Sequence, residues 1–306
     1  MIKLENYSLT DQERAELEAL LAQRGMNLSL QDLYALMDGV WREYGCSARH
    51  YDEQKYARFY QHPIWLLNGI FIEQHAESLA HRRGIAEAVH SLNAERVLDY
   101  GGGFGTLARL ITERSPNCQV DILDPYPPQH GIAVSQEIPA IRFISSAADQ
   151  AYDALVCTDV LEHVHDPLID LAQMARKIKV NGHLIIYNCF YPLIECHLPS
   201  TFHFRYSFDT FCSLLGLSKT GMTSGPHASI YKKLVEVAPN WTELREQEKF
   251  SIISYEMNQW RQQHPDASLL QQRLHLLRAF PSYFPLKIKR RALQLIRPSR
   301  GGSAEQ

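Results

Sequence analysis

The sequence predicts an α/β protein: a mostly parallel sheet with helices on both faces, extended by helical segments at both ends. Three observations carry this expectation. Between residues 95 and 230, short apolar runs alternate with helical stretches, the pattern of βαβ units in an open sheet. The first apolar run ends in a glycine cluster that leads directly into a helix, as a nucleotide-type site does at the carboxyl end of a strand. Outside this region, residues 1–92 and 231–306 space their apolar residues as helices do.

The elements read in order as follows. Thr10, Asp11 and Glu13 form a helix start with acidic residues in the first turn, and Leu17, Leu20 and Leu21 continue it at helical spacing. Leu33, Leu36, Met37 and Val40 repeat the pattern, Pro63 interrupts it, and Ile64 to Leu79 reads as one further helix. Strands are expected at 96–100, 119–123, 141–144, 153–157 and, after an Asn181-Gly182 turn, at 183–187. Helices are expected at 106–114 and 167–178. Helical patterning resumes from residue 231, broken by Pro265, Pro281 and Pro285.

Composition narrows the class. With 45% apolar and 21% charged residues in 306, the chain is long enough for a sizeable core and unlike collagen, a disordered tail or a small disulfide scaffold. The net charge of −3 speaks against a surface built throughout for nucleic acid. That average conceals an asymmetry. From Gln271 onward eight basic residues (Arg273, Arg278, Lys287, Lys289, Arg290, Arg291, Arg297, Arg300) face one acid, Glu305, so the rest of the chain is acidic. The tail interleaves its cations with Leu286, Ile288, Leu293, Leu295 and Ile296. Packing on the domain is the expected role, with peripheral contact to an anionic membrane face as the alternative. No signal-peptide-like or membrane-spanning apolar run occurs, and none of the six cysteines forms a C-x-x-C pair, which together predict a cytoplasmic protein with reduced thiols.

The segment Val97-Leu-Asp99-Tyr-Gly101-Gly102-Gly103-Phe-Gly105-Thr-Leu-Ala108 is the most informative. Its glycines permit positive φ and close approach of a ligand, and the helix beyond presents free N–H groups. Gly103-x-Gly105-x-x-Ala108, with Asp124 about 20 residues on, satisfies a dinucleotide fingerprint. Asp99 opposes that reading, because a carboxylate there repels a pyrophosphate and suits an ammonium group.

Four pieces in order carry a family resemblance: V-L-D-Y-G-G-G-F-G, the acid ending the second strand, the block Y-D-A-L-V-C-T-D-V-L-E-H-V-H-D-P, and the strand K-V-N-G-H-L-I-I. The chain resembles a class I S-adenosylmethionine-dependent methyltransferase, in particular its ubiquinone-pathway O-methyltransferase branch. The resemblance implies a Rossmann-like sheet. With it, the three regions of different texture become a helical lid or substrate region over 1–92, a cofactor-binding methyltransferase domain over 93–230 and, outside the resemblance, a helical extension with the basic tail over 231–306. The resemblance implies S-adenosylmethionine as cofactor. Asp99, Tyr100, Gly101, Gly102, Gly103 and Gly105 would hold the methionine part, and Asp124 the ribose hydroxyls. Pro125, with Leu123 and Tyr126, would pack on the adenine. Residues 145–149 would approach its amino edge, and Thr158 and Asp159 would lie near the reactive methyl.

A histidine suits proton removal from a hydroxyl acceptor near neutral pH, and His163 and His165 follow the fourth strand directly. The D-x-x-E-H block also resembles the E-x-x-E-H block of branches that hold a divalent cation. Asp159, Glu162 and His163 with His203 would be the ligands, an arrangement weighed as the alternative to no metal. His197 and His203 bring to four the histidines placed near one pocket. Trp65 and Phe71 read as core, while Tyr56, Tyr60 and Asn68 fit either core or lid. The expected reaction is O-methylation of a small molecule such as a sugar or a quinone-like phenol. A nucleic-acid methyltransferase, an NAD-dependent enzyme and a non-catalytic cofactor-binding protein stand as alternatives.

Overall fold

The structure is a computed structural model that describes residues 2–25, 27–225, 227–281 and 283. The chain divides into two compact units, Met1–Pro239 and Asn240–Gln306. The basic run from Lys287 to Arg300 lies outside the described residues. No helix among the described residues is long and apolar enough to cross a membrane.

The first unit opens with five helices: α1 (Asp11–Ala22), α2 (Leu30–Glu43), α3 (Glu53–Tyr60), α4 (Ile64–Gln74) and α5 (Ala76–Ser91). Capping boxes at Thr10 and Ser29 start α1 and α2, satisfying amide donors that a helix start leaves free. The single helix expected over 64–79 is in fact two. His75 is extended (φ −94°, ψ 113°) and its ring accepts from the Ser78 amide, ending α4 and capping α5 without a proline or glycine. Helices α1–α4 bury Leu17, Leu33, Phe59, Ile64, Leu67 and Ile70 in one cluster, joined by Phe104 from the glycine turn.

The sheet follows, with β1 (Arg96–Tyr100), α6 (Thr106–Arg114), β2 (Gln119–Leu123), α7 (Gln129–Gln136), β3 (Ile141–Ile144), β4 (Tyr152–Thr158), α8 (Pro167–Lys177) and β5 (Ile178–Tyr187). A 3-10 helix (Pro199–Tyr206), α9 (Phe208–Leu214), β6 (Leu217–Met222) and β7 (Ser229–Lys233) complete the unit. The seven strands run in the order β3-β2-β1-β4-β5-β7-β6. Strands β1 to β5 are parallel, whereas β7 runs antiparallel to β5 and β6 antiparallel to β7. The mostly parallel α/β expectation is borne out, with an antiparallel hairpin added at one edge.

The Asn181-Gly182 turn expected before the fifth strand is instead an irregularity inside β5. The strand begins at Ile178, its pairing with β4 shifts register between Tyr152 and Ala154, and Asn181 takes a φ of 69°. Lys233 at the end of β7 is fully buried. Its Nζ donates to the Ala175 and Ile178 carbonyls at 2.7 Å and pairs with Glu236. A cation thus sits where the end of α8 carries excess negative potential.

From β1 the chain winds outward to β2 and β3, then returns to place β4 on the other side of β1. Loops diverge at the carboxyl ends of β1 and β4, the switch point where open α/β sheets bind ligands.

The second unit contains α10 (Trp241–Gln263) and α11 (Leu269–Ala279).

Candidate active site

A cavity of about 590 Å³ opens at this switch point. Its floor comes from the turns after β1, β2 and β4. Gly101, in the first of these, has a φ of 73°, and a Cβ there would stand 2.4 Å from Val160 Cγ2. Only glycine allows the two loops to meet so closely. Gly102, Gly103, Asp99, Asp124, Pro125, Thr158 and Asp159 all line the cavity.

Three of the expected positions, Tyr100, Gly105 and Leu123, do not. The Tyr100 side chain turns the other way and donates its hydroxyl to Asp170 at 2.5 Å, because alternate residues of a strand face opposite sides. Gly105 caps α6 with a φ of 76°, and a Cβ there would meet Ser135 and Arg109. Residues 145–149 also stand off the cavity, and Asp149 pairs with Arg176 and Lys177.

Asp99 is buried, and its Oδ2 has no hydrogen-bond partner. Burial pushes its pKa up to about 7, with Arg82 opposing and Asp124 adding to the rise. Asp124 accepts from the Gly103 amide at 2.9 Å and the Tyr126 amide at 2.8 Å. It therefore pins the glycine turn to the loop after β2, with carboxylate lone pairs left over. Burial also raises its pKa. Asp159 takes a left-handed φ of 55°, an uncommon conformation for a residue with a side chain. Desolvation in its crowded turn raises its pKa, with Arg82 and His81 of α5 opposing the rise.

The opposite wall is aromatic. Tyr34, Tyr51, Tyr56, Tyr60 and Trp65 line it, and Tyr126 from the loop after β2 stacks on Tyr60 at 6.4 Å. Asn68 and Phe71 line the cavity as well, so the residues read as core and those left undecided share one surface. The Tyr60 hydroxyl and the Trp65 Nε1 are buried without partners. His163 lies edge-on to both rings, at 6.2 and 6.1 Å, and at 4.8 Å from His197. Its Nδ1 is 3.2 Å from the Cys196 carbonyl. A carbonyl only accepts, so Nδ1 carries the proton and Nε2 is a free acceptor. Burial, with His197 beside it, holds the His163 pKa down to about 3. His165 also lines the cavity, but it is exposed and packs against Tyr51 at 5.3 Å.

Residues 71–217 match the family model described as a methyltransferase domain. This part of the chain is a methyltransferase domain. The resemblance to class I S-adenosylmethionine-dependent enzymes drawn from the four motifs is borne out. The ubiquinone biosynthesis O-methyltransferase of Vibrio cholerae serotype O1 is 29% identical over 130 residues, 39% of this chain and 52% of that protein. The protein of that name from Xylella fastidiosa M23 is 30% identical over 106 residues, 31% and 42% of the two chains. The chain thus spans about half the length of the curated relatives it matches. Among solved structures, an O-methyltransferase family protein from Burkholderia thailandensis is similar with a TM-score of 0.45 and 13% identity, covering 72% of this chain and 77% of that one.

The methyltransferase domain corrects the cation grouping expected from the sequence. His203 is buried on the 3-10 helix against Phe204 at 4.1 Å and does not line the cavity. Its place is taken by His197. One ligand atom each from Glu162, His163 and His197 lie within 4.8 Å of one another. Asp159, also expected among the ligands, does not belong to this group of three. Glu162 is fully buried, its Oε1 accepts from the Cys189 amide at 2.6 Å, and its Oε2 has no partner. Burial, reinforced by Asp159, raises its pKa to about 8. His197 is anchored as His163 is, with Nδ1 2.8 Å from the Tyr191 carbonyl.

Sequence reasoning missed Arg82, His81 and His227, which line the same cavity. The His81 and His227 rings stack at 3.8 Å, and His227 stacks on Tyr187 at 3.9 Å. Arg82 and Arg83 are adjacent in α5, and nothing in the sequence distinguishes the inward one.

Proposed function

We propose that the chain transfers a methyl group from S-adenosylmethionine to an oxygen of a small aromatic acceptor. One observation carries this reading: a single cavity has a buried, unpartnered carboxylate at the glycine turn and a carbonyl-anchored neutral histidine against an aromatic wall. The O-methyltransferase activity of the curated relatives supports an oxygen acceptor.

The residues present fit the cofactor. The orphaned Asp99 Oδ2 suits its ammonium group, and the spare lone pairs of Asp124 suit a ribose diol. Gly101 to Gly103 leave room for close approach, and Pro125 and Tyr126 offer apolar surface to the adenine. The same Asp99 oxygen disfavours the dinucleotide alternative, since it faces the turn where a pyrophosphate would rest. When bound, the cofactor supplies an electrophilic methyl group.

The chain's own part is to position the acceptor and remove its proton. Tyr60 and Trp65 hold free donors toward an acceptor oxygen, and the aromatic wall orients its ring. His163 Nε2 accepts the hydroxyl's hydrogen bond and takes its proton as the O–CH3 bond forms, when the oxygen becomes far more acidic than a histidinium. The helices of residues 1–92 act as the acceptor's lid. His163→Gln is expected to lower kcat at least about a hundredfold while the dissociation constant for S-adenosylhomocysteine stays within about threefold. Turnover of phenolic acceptors by purified variants, with calorimetric cofactor binding in parallel, checks this. Unchanged kcat removes His163 as the base.

A second reading is favoured by the Glu162 oxygen that has no partner. Glu162, His163 and His197 would hold a divalent cation, with both histidine tautomers already fixed by their carbonyls. The cation would lower the pKa of a bound acceptor hydroxyl. Elemental analysis is then expected to find one divalent ion per chain, absent from Glu162→Gln. Chelation is expected to cut activity at least about tenfold. Metal-free protein with chelator-insensitive activity rules this reading out.

A further inference from the structure

Helix α11 turns its apolar side away from α10, its partner in the second unit. Its capping box, Ser268 with Gln271, fixes where it starts. At 3.6 residues per turn, Leu270, Leu274 and Leu277 share one face with Leu269 beside them. These leucines are 66%, 41%, 48% and 73% exposed, and no residue of the helix is buried. The side that contacts α10 is the polar one. His275 stacks on Trp260 at 4.5 Å, and Arg261 Nε donates to Gln272 Oε1 at 3.0 Å. An amphipathic helix normally does the reverse, burying its leucines and leaving amides and imidazoles to water.

We propose that the leucine face of α11 docks on an anionic bilayer surface. Charge decides between the two occupants such a face can take. Arg273 and Arg278 flank the leucines, and six further cations follow before the end of the chain against one acid. A second copy would bring two such cation-rich segments together, whereas anionic headgroups attract each cation while the leucines enter the acyl boundary. The arrangement would bring the methyltransferase to acceptors that partition into a membrane.

Co-sedimentation of the full chain with vesicles tests this. The chain is expected to bind vesicles of equimolar phosphatidylglycerol and phosphatidylcholine, to bind less as ionic strength rises, and to ignore pure phosphatidylcholine. Leu270→Glu with Leu277→Glu is expected to weaken binding at least about tenfold. Circular dichroism and S-adenosylhomocysteine affinity should stay unchanged, which separates loss of docking from loss of fold. Absence of binding to the anionic vesicles overturns the proposal, as does undiminished binding by the double variant. A concentration-dependent dimer abolished by the same substitutions, without vesicle binding, overturns it too and gives the face to a second copy.

Discussion

Asp99→Asn is expected to strengthen the unliganded fold and weaken cofactor binding. The sign follows from the raised pKa of about 7. The folded chain holds a proton on Asp99 that the unfolded chain has already released, so stability falls as pH climbs from the ordinary carboxylate range to about 7 and stays low above it. Asparagine has no charge to bury, so the variant should melt higher than the native chain at pH 8, with the difference closing toward pH 4. Binding moves the other way. An ammonium group placed beside Asp99 needs the ionised form, so native affinity for S-adenosylhomocysteine should fall about tenfold per pH unit below 7. Asp99→Asn should lose at least about a hundredfold at pH 8 and show no such pH dependence. Calorimetry and thermal melts across pH 5–8 read both effects. A native affinity independent of pH, or a variant that binds equally well, sinks the assignment.

Asp124→Ala should cost more, because the carboxylate serves two purposes. Its loss leaves the Gly103 and Tyr126 amides without their acceptor, each worth about 1–3 kcal/mol where water cannot replace it. It also removes the acceptor for the ribose hydroxyls. Affinity for S-adenosylhomocysteine should fall by about two to three orders of magnitude, and saturating ligand should no longer raise the melting temperature. Asp124→Asn should recover little, since its amide nitrogen would point a donor at one of two backbone donors. Retained binding in the alanine variant would show that the loop, and not the carboxylate, holds the ligand.

Much of this site was legible in the sequence because its signals are local. The strand, glycine turn and helix of 96–114 occupy one short segment, and the placement of Asp99 and Asp124 at strand ends needs only period-two counting. What escaped depends on geometry that accumulates along irregular chain. The stretch between β5 and the 3-10 helix has no period, so spacing could not choose between His197 and His203. The antiparallel hairpin was missed because Leu217–Met222 is mostly exposed, and an edge strand loses the apolar pattern that marks a buried one. The break at His75 was invisible because a histidine side chain, and no proline or glycine, makes it. The leucines of α11 are plain in the sequence, but only Trp260 and Arg261 reveal which way they point.

Phe104 carries a consequence for protein engineering. It belongs to the glycine turn but is seated in the core of the N-terminal helices, where Gly69 of α4 leaves space for its ring: a Cβ there would stand 2.5 Å from Phe104 Cγ. Arg109 of α6 pairs with Glu73 of α4 beside it. A chimera that swaps residues 1–75 for those of a relative would remove the socket of this ring and disturb the glycine turn at the cavity floor. Grafts that keep Gly69 and Glu73 together with Phe104 and Arg109 preserve the joint. Recombination of this scaffold should therefore follow that seam and not the boundary between helices and sheet.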